Sequence, residues 1–261
     1  MVRAATGHKY WSKFTDDMQA SITKKSESIH LSLFAPEVKT PIKTIDLPLG
    51  GSSSVTDALD LLMSLSEMVD PEKRPIEKYV DDTDGSQTLK LLTNLEKVTA
   101  SLIGNQSKSL GLHPFVYFYT SKGRHYPPLM MGMFSLVADK IRSNDREWFK
   151  VFATPTRRLI EETLIEHKTI ITLLISALGS RARIEGGRTM INLIIDSAKS
   201  GTAITPDAIA GALKLESRPY SIQSKPGAEF SDDAKSSAFL RDALRQALRC
   251  PLCEGYLVVL A

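Results

Sequence analysis

The sequence predicts a mainly α-helical protein with a small β-hairpin or sheet element, an α+β fold dominated by its helices. From Leu129 onward, apolar side chains recur at the three- and four-residue spacing of helices with one buried face. The apolar and aromatic run 112–119 is typical of a strand, and the turn 120–123 after it predicts a hairpin. Hydrophobic residues make up 42% of the 261, which is enough for a core and excludes a disordered chain.

The remaining elements are predicted in chain order from periodicity and capping residues. Residues 28–34 alternate apolar and polar side chains like a half-buried strand, and 38–47 predict a second strand at a sheet edge. Capping residues precede two N-terminal helices, one after Ser54 and one after Asp84. Further helices are predicted for residues 129–142, 145–152, 155–178, 187–199, 206–215 and 232–249.

These elements divide the chain into three regions. We expect an N-terminal α+β region at 1–110, a helical body with the hairpin at 111–230, and a helix with a following turn at 231–261. No apolar stretch approaches the roughly 20 residues of a membrane helix, and the N-terminus has no secretory signal pattern. The two cysteines, Cys250 and Cys253, have a metal or redox spacing that suits a reducing compartment. We therefore expect a cytoplasmic protein with no membrane partner.

The basic residues suggest a surface that faces a polyanion. Eleven of the 14 arginines lie in residues 136–261, and the planar guanidinium matches phosphate oxygens. Scattered surface arginine is the alternative, and the composition leaves both open. The candidate nucleic-acid-binding residues are Lys122, Arg124, Lys150, Arg157, Arg158, Arg181, Arg183, Arg188, Arg241 and Arg245.

Two segments illustrate this choice. The loop 179–188 carries three arginines and the Gly186-Gly187 pair before a helix, so it could cradle phosphate or be an ordinary turn between helices. In the turn 122–126, His125 and Tyr126 stand beside two cations and could help to hold an anion, or the turn could simply be solvated.

Other polar residues are predicted to have structural roles. His113, directly before Pro114, is expected to be a hydrogen-bonded structural histidine. The group Glu161, Glu162, Glu166 and His167 lacks the two histidines of a metalloprotease and predicts a solvated helix face. Trp148 and Phe152 are four residues apart and should share a buried face.

The end of the chain carries the most specific motif. A helix with arginines at 241, 245 and 249 leads into Cys250-Pro-Leu-Cys253-Glu-Gly255 and then an apolar strand. This pattern is similar to the entry of HNH-type endonucleases that hold a structural zinc with four cysteines, and residues 110–126 resemble the region that precedes the HNH unit in some bacterial restriction and anti-phage defence proteins. The resemblance implies that Cys250 and Cys253 are half of a zinc knuckle.

The same resemblance implies the chemistry of the complete enzyme. In that family a histidine activates water and a divalent metal such as Mg²⁺ stabilises the leaving oxygen during phosphodiester hydrolysis. These residues would follow the knuckle, but only eight residues follow Cys253. We therefore expect DNA to be a partner and this chain alone not to cleave it.

Two alternatives come from other functional classes. The amphipathic helices, with Met130, Met131 and Met133, could form a protein-interaction or sensor module that binds a partner protein or forms a homo-oligomer. A redox role for the two cysteines would require a lowered thiol pKa and a disulfide partner.

Overall fold

Almost all regular structure in the described part of the chain is helical. The computed structural model describes residues 13–34, 62, 64–70, 82–103, 109–215 and 232–257. The helices are α1 Asp16–Phe34, α2 Ser86–Ile103, α3 Pro114–Tyr117, α4 Pro127–Arg142, α5 Arg146–Lys150, α6 Thr156–Ala177, α7 Arg183–Ser200, α8 Pro206–Ala212 and α9 Asp232–Gln246, with 3-10 turns at Val151–Ala153 and Ser180–Ala182. The predicted mainly α fold is confirmed.

Local sequence signals account for several helix ends. α4 begins with a proline pair, and prolines suit a first turn because the amides there have no helical partner. The side chain of Asp145 accepts a hydrogen bond from the Trp148 amide and so caps α5. α7 ends at Gly201, whose φ of +67° places it in the left-handed region that glycine tolerates. The helices predicted from Leu129 onward are confirmed, with small shifts in their ends.

The predicted strand at 28–34 is wrong, because this segment is the last part of α1. Ile22 and Ile29 are buried seven residues apart, which is a helical spacing, and α1 packs on α2. An ion pair of 2.5 Å joins Lys25 of α1 to Glu96 of α2. The predicted strand at 38–47 lies outside the described residues, and residues 62 and 64–68 of the predicted helix after Ser54 are helical.

The predicted strand at 112–119 is also wrong. Pro114 begins the single helical turn α3, and residues 114–119 are all buried, so an apolar run without periodicity fits either conformation. The turn that follows is confirmed, since Tyr119 and His125 form an antiparallel bridge. Within the described residues this hairpin is reduced to one bridged pair, and a second isolated bridge joins Arg249 to Tyr256.

Close packing of α4 against α7 forms the centre of the helical body. A Cβ atom on Gly187 would lie 2.2 Å from the carbonyl oxygen of Pro128, and one on Gly132 would lie 2.5 Å from the Arg188 amide. Gly186 and Gly187 are therefore buried within α7, which favours an ordinary connection between helices over a phosphate cradle. Met130, Met131 and Met133 are buried on α4, so they do not form an adaptable outer surface.

Among the helices of the described segments, none combines the length and the apolar character that crossing a bilayer requires.

Candidate zinc knuckle and its docking site

The two cysteines lie in a tight hairpin that follows α9. The Cys250 amide donates to the Gly255 carbonyl at 2.9 Å, and the Leu257 amide donates to the Leu248 carbonyl at 2.9 Å. Glu254 has a left-handed φ of +54°, and its amide donates to the Cys250 carbonyl at 2.8 Å. The backbone therefore turns back on itself directly after Cys253.

The turn brings the two sulfurs together and surrounds them with amides. Both thiols are free; Cys253 is buried and Cys250 is half-buried. Hydrogen bonds from the backbone amides of Cys253 and Leu252 lower the pKa of the Cys250 thiol. Burial raises the pKa of the Cys253 thiol, against the effect of the Gly255 amide. Amides directed at a sulfur favour its thiolate, which is the form that binds metal.

The donor set fits half of a tetrahedral zinc site. The thiols of Cys250 and Cys253 influence each other's pKa, so they lie close together, and soft sulfur ligands suit Zn²⁺. The described residues contain no group of three or more histidine, cysteine, aspartate or glutamate side chains arranged to hold a metal. A complete site would therefore need two ligands from elsewhere.

A buried arginine of α6 fastens this hairpin to the helical body. Only 4% of Arg157 is exposed. Its Nη2 donates to the carbonyl of Tyr256 at 3.2 Å and to that of Gly111 at 2.8 Å, and its Nη1 donates to that of Leu110 at 2.6 Å. Nη1 also approaches Sγ of Cys253 at 4.0 Å. One guanidinium thus joins the hairpin to the segment before α3.

Glu161 lies one helical turn after Arg157 and pairs with it, and we call these two residues the clamp. It is fully buried, and its Oε1 accepts from Nε of Arg157 at 2.9 Å and from the hydroxyl of Tyr117 at 3.1 Å. Its Oε2 accepts from the Tyr256 amide at 2.7 Å. Burial raises the pKa of Glu161, and Arg157 opposes this rise. The pair therefore holds both the amide and the carbonyl of Tyr256.

Gly255 makes this contact sterically feasible. A Cβ at this position would lie 2.1 Å from Nε of Arg157 and 2.4 Å from its Cδ. The glycine of the Cys-x-x-Cys-x-Gly motif is thus the point at which the hairpin backbone lies against the guanidinium. Any side chain there would push the hairpin away from α6.

Exposed ion pairs reinforce the same junction. Arg158 pairs with Glu254 of the hairpin at 2.6 Å. Arg249 lies 4.1 Å from the centre of the Tyr256 ring and pairs with Glu162 at 3.7 Å. These contacts are exposed or half-buried, and we expect them to contribute less than the buried pair.

A second buried cation supports α3 beneath the clamp. Nζ of Lys168 donates to the carbonyls of Phe115 and Val116 at 2.6 and 2.5 Å, and so satisfies the last turn of α3. Burial lowers the pKa of Lys168 to about 7. His113 lies nearby, and burial, with the charges of Lys168 and Arg157, lowers its pKa to about 4. Within the described residues Nδ1 of His113 has no hydrogen-bond partner, so the expected hydrogen bond is not found there.

The sequence contains a signal for these buried charges that the predictions did not use. Glu161 was expected on a solvated face, which is wrong, because only Glu162 and Glu166 of that group are exposed. One face of α6 is marked by a series of positions at helical spacing, and the apolar members of the series are buried. The series is 157, 161, 164, 168, 171 and 175. The charged positions of that series lie on the buried side of α6.

The predicted nucleic-acid-binding residues fall into different environments. Arg157 is buried, so we exclude it from any surface that contacts a phosphate backbone. Arg188 ties α7 to α4 through Asp139 at 2.5 Å, and Lys150 pairs with Glu147 at 2.6 Å. Arg158 pairs with Glu254, as described above, and Arg245 lies 3.6 Å from Asp242.

The other five predicted basic residues are half-buried or exposed. Arg183 donates to the carbonyls of Leu178 and Ser176, at the C-terminal end of α6. The others are exposed: Lys122, Arg124, Arg181 and Arg241. His125 and Tyr126 are turned inward, since burial lowers the pKa of His125 to about 4 and Tyr126 donates to the Thr172 carbonyl. His125 is therefore neutral at pH 7, and we do not expect it to bind an anion.

Comparisons of this chain with protein-family models, with curated proteins and with solved structures find no match.

Proposed function

We propose that this chain is the nucleic-acid-facing helical body of an HNH-type endonuclease and that its C-terminal hairpin is the first half of the zinc knuckle of that enzyme. The observation that supports this most strongly is the Cys250–Cys253 turn, whose two thiols converge among backbone amides. The turn is held by a buried ion pair that contacts the next residues of the hairpin. A body that fixes a knuckle in this way suits a platform for a small nuclease unit.

In this proposal each part of the chain has a separate task. Cys250 and Cys253 supply two thiolates to a structural zinc, which would fold the nuclease unit around itself. Arg157 and Glu161 orient the hairpin relative to α6. We assign no catalytic residue in this chain, and the histidine base and divalent metal of phosphodiester hydrolysis belong to the complete enzyme. A role in restriction or anti-phage defence in the cytoplasm is part of the same proposal.

Metal binding by the full chain tests the zinc half of the proposal. Co²⁺ is added to the reduced protein, because cobalt bound to thiolates absorbs in the near ultraviolet whereas cobalt in water does not. We expect thiolate-to-cobalt absorption that Zn²⁺ displaces, since zinc binds thiolate sites more tightly than cobalt. Cys250→Ser with Cys253→Ser should abolish the absorption.

Leu252→Ser is the matched control, because Leu252 lies between the two cysteines and is 79% exposed. This variant should bind cobalt like the unaltered chain. Equal absorption in the double cysteine variant, or none in the unaltered chain, would contradict the knuckle. Binding of duplex DNA at low salt tests the other half, and absence of binding would remove the nucleic-acid assignment.

A partner-binding module without catalysis is the second candidate. Leu248 and Leu252 are 62% and 79% exposed on the hairpin, and exposed apolar side chains can mark a protein contact. A chain that binds neither cobalt nor DNA, but forms a homo-oligomer that Leu248→Ser with Leu252→Ser dissociates, would favour this candidate. Light scattering measures the molar mass, and so the oligomeric state, of the unaltered chain and of the double leucine variant.

A further inference from the structure

A cavity lies between α6, α9 and the C-terminal hairpin. Its volume is about 370 Å³, which is near the lower limit for pockets that bind small molecules. Three elements line it: Glu162, Ile165 and Glu166 of α6, Arg241, Leu244 and Arg245 of α9, and Tyr256 of the hairpin. Neither cysteine lines this cavity, so it is distinct from the candidate zinc knuckle.

The two helices bring opposite charges to this cavity. Glu162 and Glu166 are one turn apart on α6, and Arg241 and Arg245 are one turn apart on α9. All four residues are exposed. The ion pairs within the described residues include none between these two arginines and these two glutamates. The opposite charges therefore line one cavity without pairing across it.

One charge on each helix is left without a protein partner. Glu162 pairs at 3.5 and 3.7 Å with two arginines that do not line the cavity. Arg245 lies 3.6 Å from an aspartate of its own helix, and both of these side chains are largely exposed. Within the described residues, Arg241 and Glu166 have neither an ion pair nor a side-chain hydrogen bond. A ligand can therefore meet one cation and one carboxylate.

The apolar part of the cavity is fixed by the fold. The clamp holds the amide and the carbonyl of Tyr256, and Arg249 covers one face of its ring at 4.1 Å. Ile165 and Leu244 are half-buried and approach from the two helices. Apolar surface thus lies between the basic and the acidic side chains, which suits a ligand with an apolar group between its charges.

We propose that this cavity binds a small zwitterion with an apolar side chain, the chemistry of a free α-amino acid or a dipeptide. Arg241 binds the carboxylate, and Glu166 accepts hydrogen bonds from the ammonium group. The side chain of the ligand packs on Ile165 and Leu244. A simple anion would meet Glu166 and a simple cation would meet Arg241, so each would face a like charge. This binding goes beyond the proposed function and requires neither zinc nor DNA.

Ligand-observed NMR titration of the full chain tests the class of ligand. Leucine and leucyl-leucine carry both charges, whereas leucinamide lacks the carboxylate and N-acetylleucine lacks the ammonium group. We expect leucine or the dipeptide to bind, and each of the two derivatives to bind about tenfold more weakly, because each loses a charged hydrogen bond. The tighter of leucine and leucyl-leucine identifies the source of the zwitterion.

Two variants match the two charges of the ligand. Arg241→Gln should weaken leucine about tenfold and leave leucinamide unchanged, because that ligand has no carboxylate to lose. Glu166→Gln should weaken leucine and leave N-acetylleucine unchanged. A variant that acted only through the fold would weaken all of these ligands alike.

Arg181→Gln and Glu185→Gln are the matched controls. Both residues are exposed and neither lines the cavity, so these variants should bind leucine like the unaltered chain. Thermal unfolding verifies that all four variants remain folded.

Three results would overturn this site. The unaltered chain could bind neither leucine nor leucyl-leucine, or it could bind them with the same affinity as Arg241→Gln and Glu166→Gln. Binding of adenosine monophosphate in place of leucine, with loss in Arg241→Gln, would make the cavity an anion site and exclude a zwitterion. The cobalt and DNA titrations decide the proposed function separately from each of these results.

Discussion

Arg157 is one of five charged residues that are buried in the described part of the chain. Its guanidinium donates hydrogen bonds to four oxygens in three segments. These are the carbonyl oxygens of Leu110, Gly111 and Tyr256 and a carboxylate oxygen of Glu161. A planar fork satisfies this arrangement, and the single ammonium of lysine does not. Because the oxygens lie 46 to 99 residues away along the chain, except for Glu161, one side chain connects distant parts of the fold.

Arg157→Met is expected to destabilise the protein by about 3–5 kcal/mol, because it leaves Glu161 buried without its partner and three carbonyls without a donor. Urea unfolding measures the loss. The free energy of unfolding of Arg157→Lys should lie between that of Arg157→Met and that of the unaltered chain, since lysine restores the charge without the geometry.

Arg158→Gln is the matched control for this prediction. It removes the same type of side chain from the next position, but Arg158 is 47% exposed and pairs with Glu162 and Glu254 at the surface. A loss of about 0–1 kcal/mol is expected there. Similar losses at the two arginines would contradict the buried clamp.

At the scale of the elements, two glycines allow α4 and α7 to pack closely against each other. Gly132 of α4 faces the Arg188 backbone, and Gly187 of α7 faces the backbone at Pro128. The two helices can approach each other because neither has a side chain at these points. An ion pair between Arg188 and Asp139 then joins them at the edge of the contact.

Gly187→Ala is expected to lower the free energy of unfolding by about 1–3 kcal/mol, because its Cβ would overlap the Pro128 carbonyl and force the helices apart. Gly211→Ala is the control, since a Cβ on that helical glycine meets nothing within 4 Å. Alanine there should be neutral or stabilise α8 by about 0.5–1 kcal/mol. Thermal unfolding of both variants measures the contrast, and equal behaviour would contradict the assignment of Gly187 to the helix contact.

The sequence predicted the elements better than the way they meet. Periodicity found α4 and the helices after it, because each has a clear apolar face. Periodicity gave the wrong element at residues 28–34 and 112–119. These segments are too short, or contain too few polar residues, for the pattern to distinguish a helix from a strand. The Cys-x-x-Cys spacing of Cys250 and Cys253 is visible in the sequence, but the docking of this hairpin on Arg157 is not, since no local pattern records a contact across 96 residues.

At the scale of the whole molecule, the stability of the fold should depend on two half-buried histidines, His113 and His125. His113 lies beside the Phe115 and Tyr256 rings, and His125 lies edge-on to Tyr119 with Nε2 3.3 Å from the Met130 sulfur. Burial lowers the pKa of each to about 4 from its usual 6.5. For His113, the positive charges of Lys168 and Arg157 act in the same direction.

The direction of the pH effect follows from these values. Below pH 6.5 the unfolded chain binds protons at these histidines and the folded chain does not, so acid favours unfolding. The stabilisation is complete above pH 6.5 and is lost as the pH falls toward 4. For His113 the loss between pH 7 and pH 5 is on the order of 2 kcal/mol.

We therefore expect the free energy of unfolding to fall steeply between pH 7 and pH 5, and His113→Gln to make that fall shallower by about 2 kcal/mol. His125→Gln should do the same independently, because the two rings contact different neighbours. His167→Gln is the control, since that histidine belongs to a different element, the helix α6. Urea unfolding at several pH values gives the comparison. A neutral imidazole inside the fold must take up a proton when the chain unfolds in acid, so each variant should reduce the slope of the free energy of unfolding against pH. If the slope is unchanged in both His113→Gln and His125→Gln, the acid sensitivity arises from other groups.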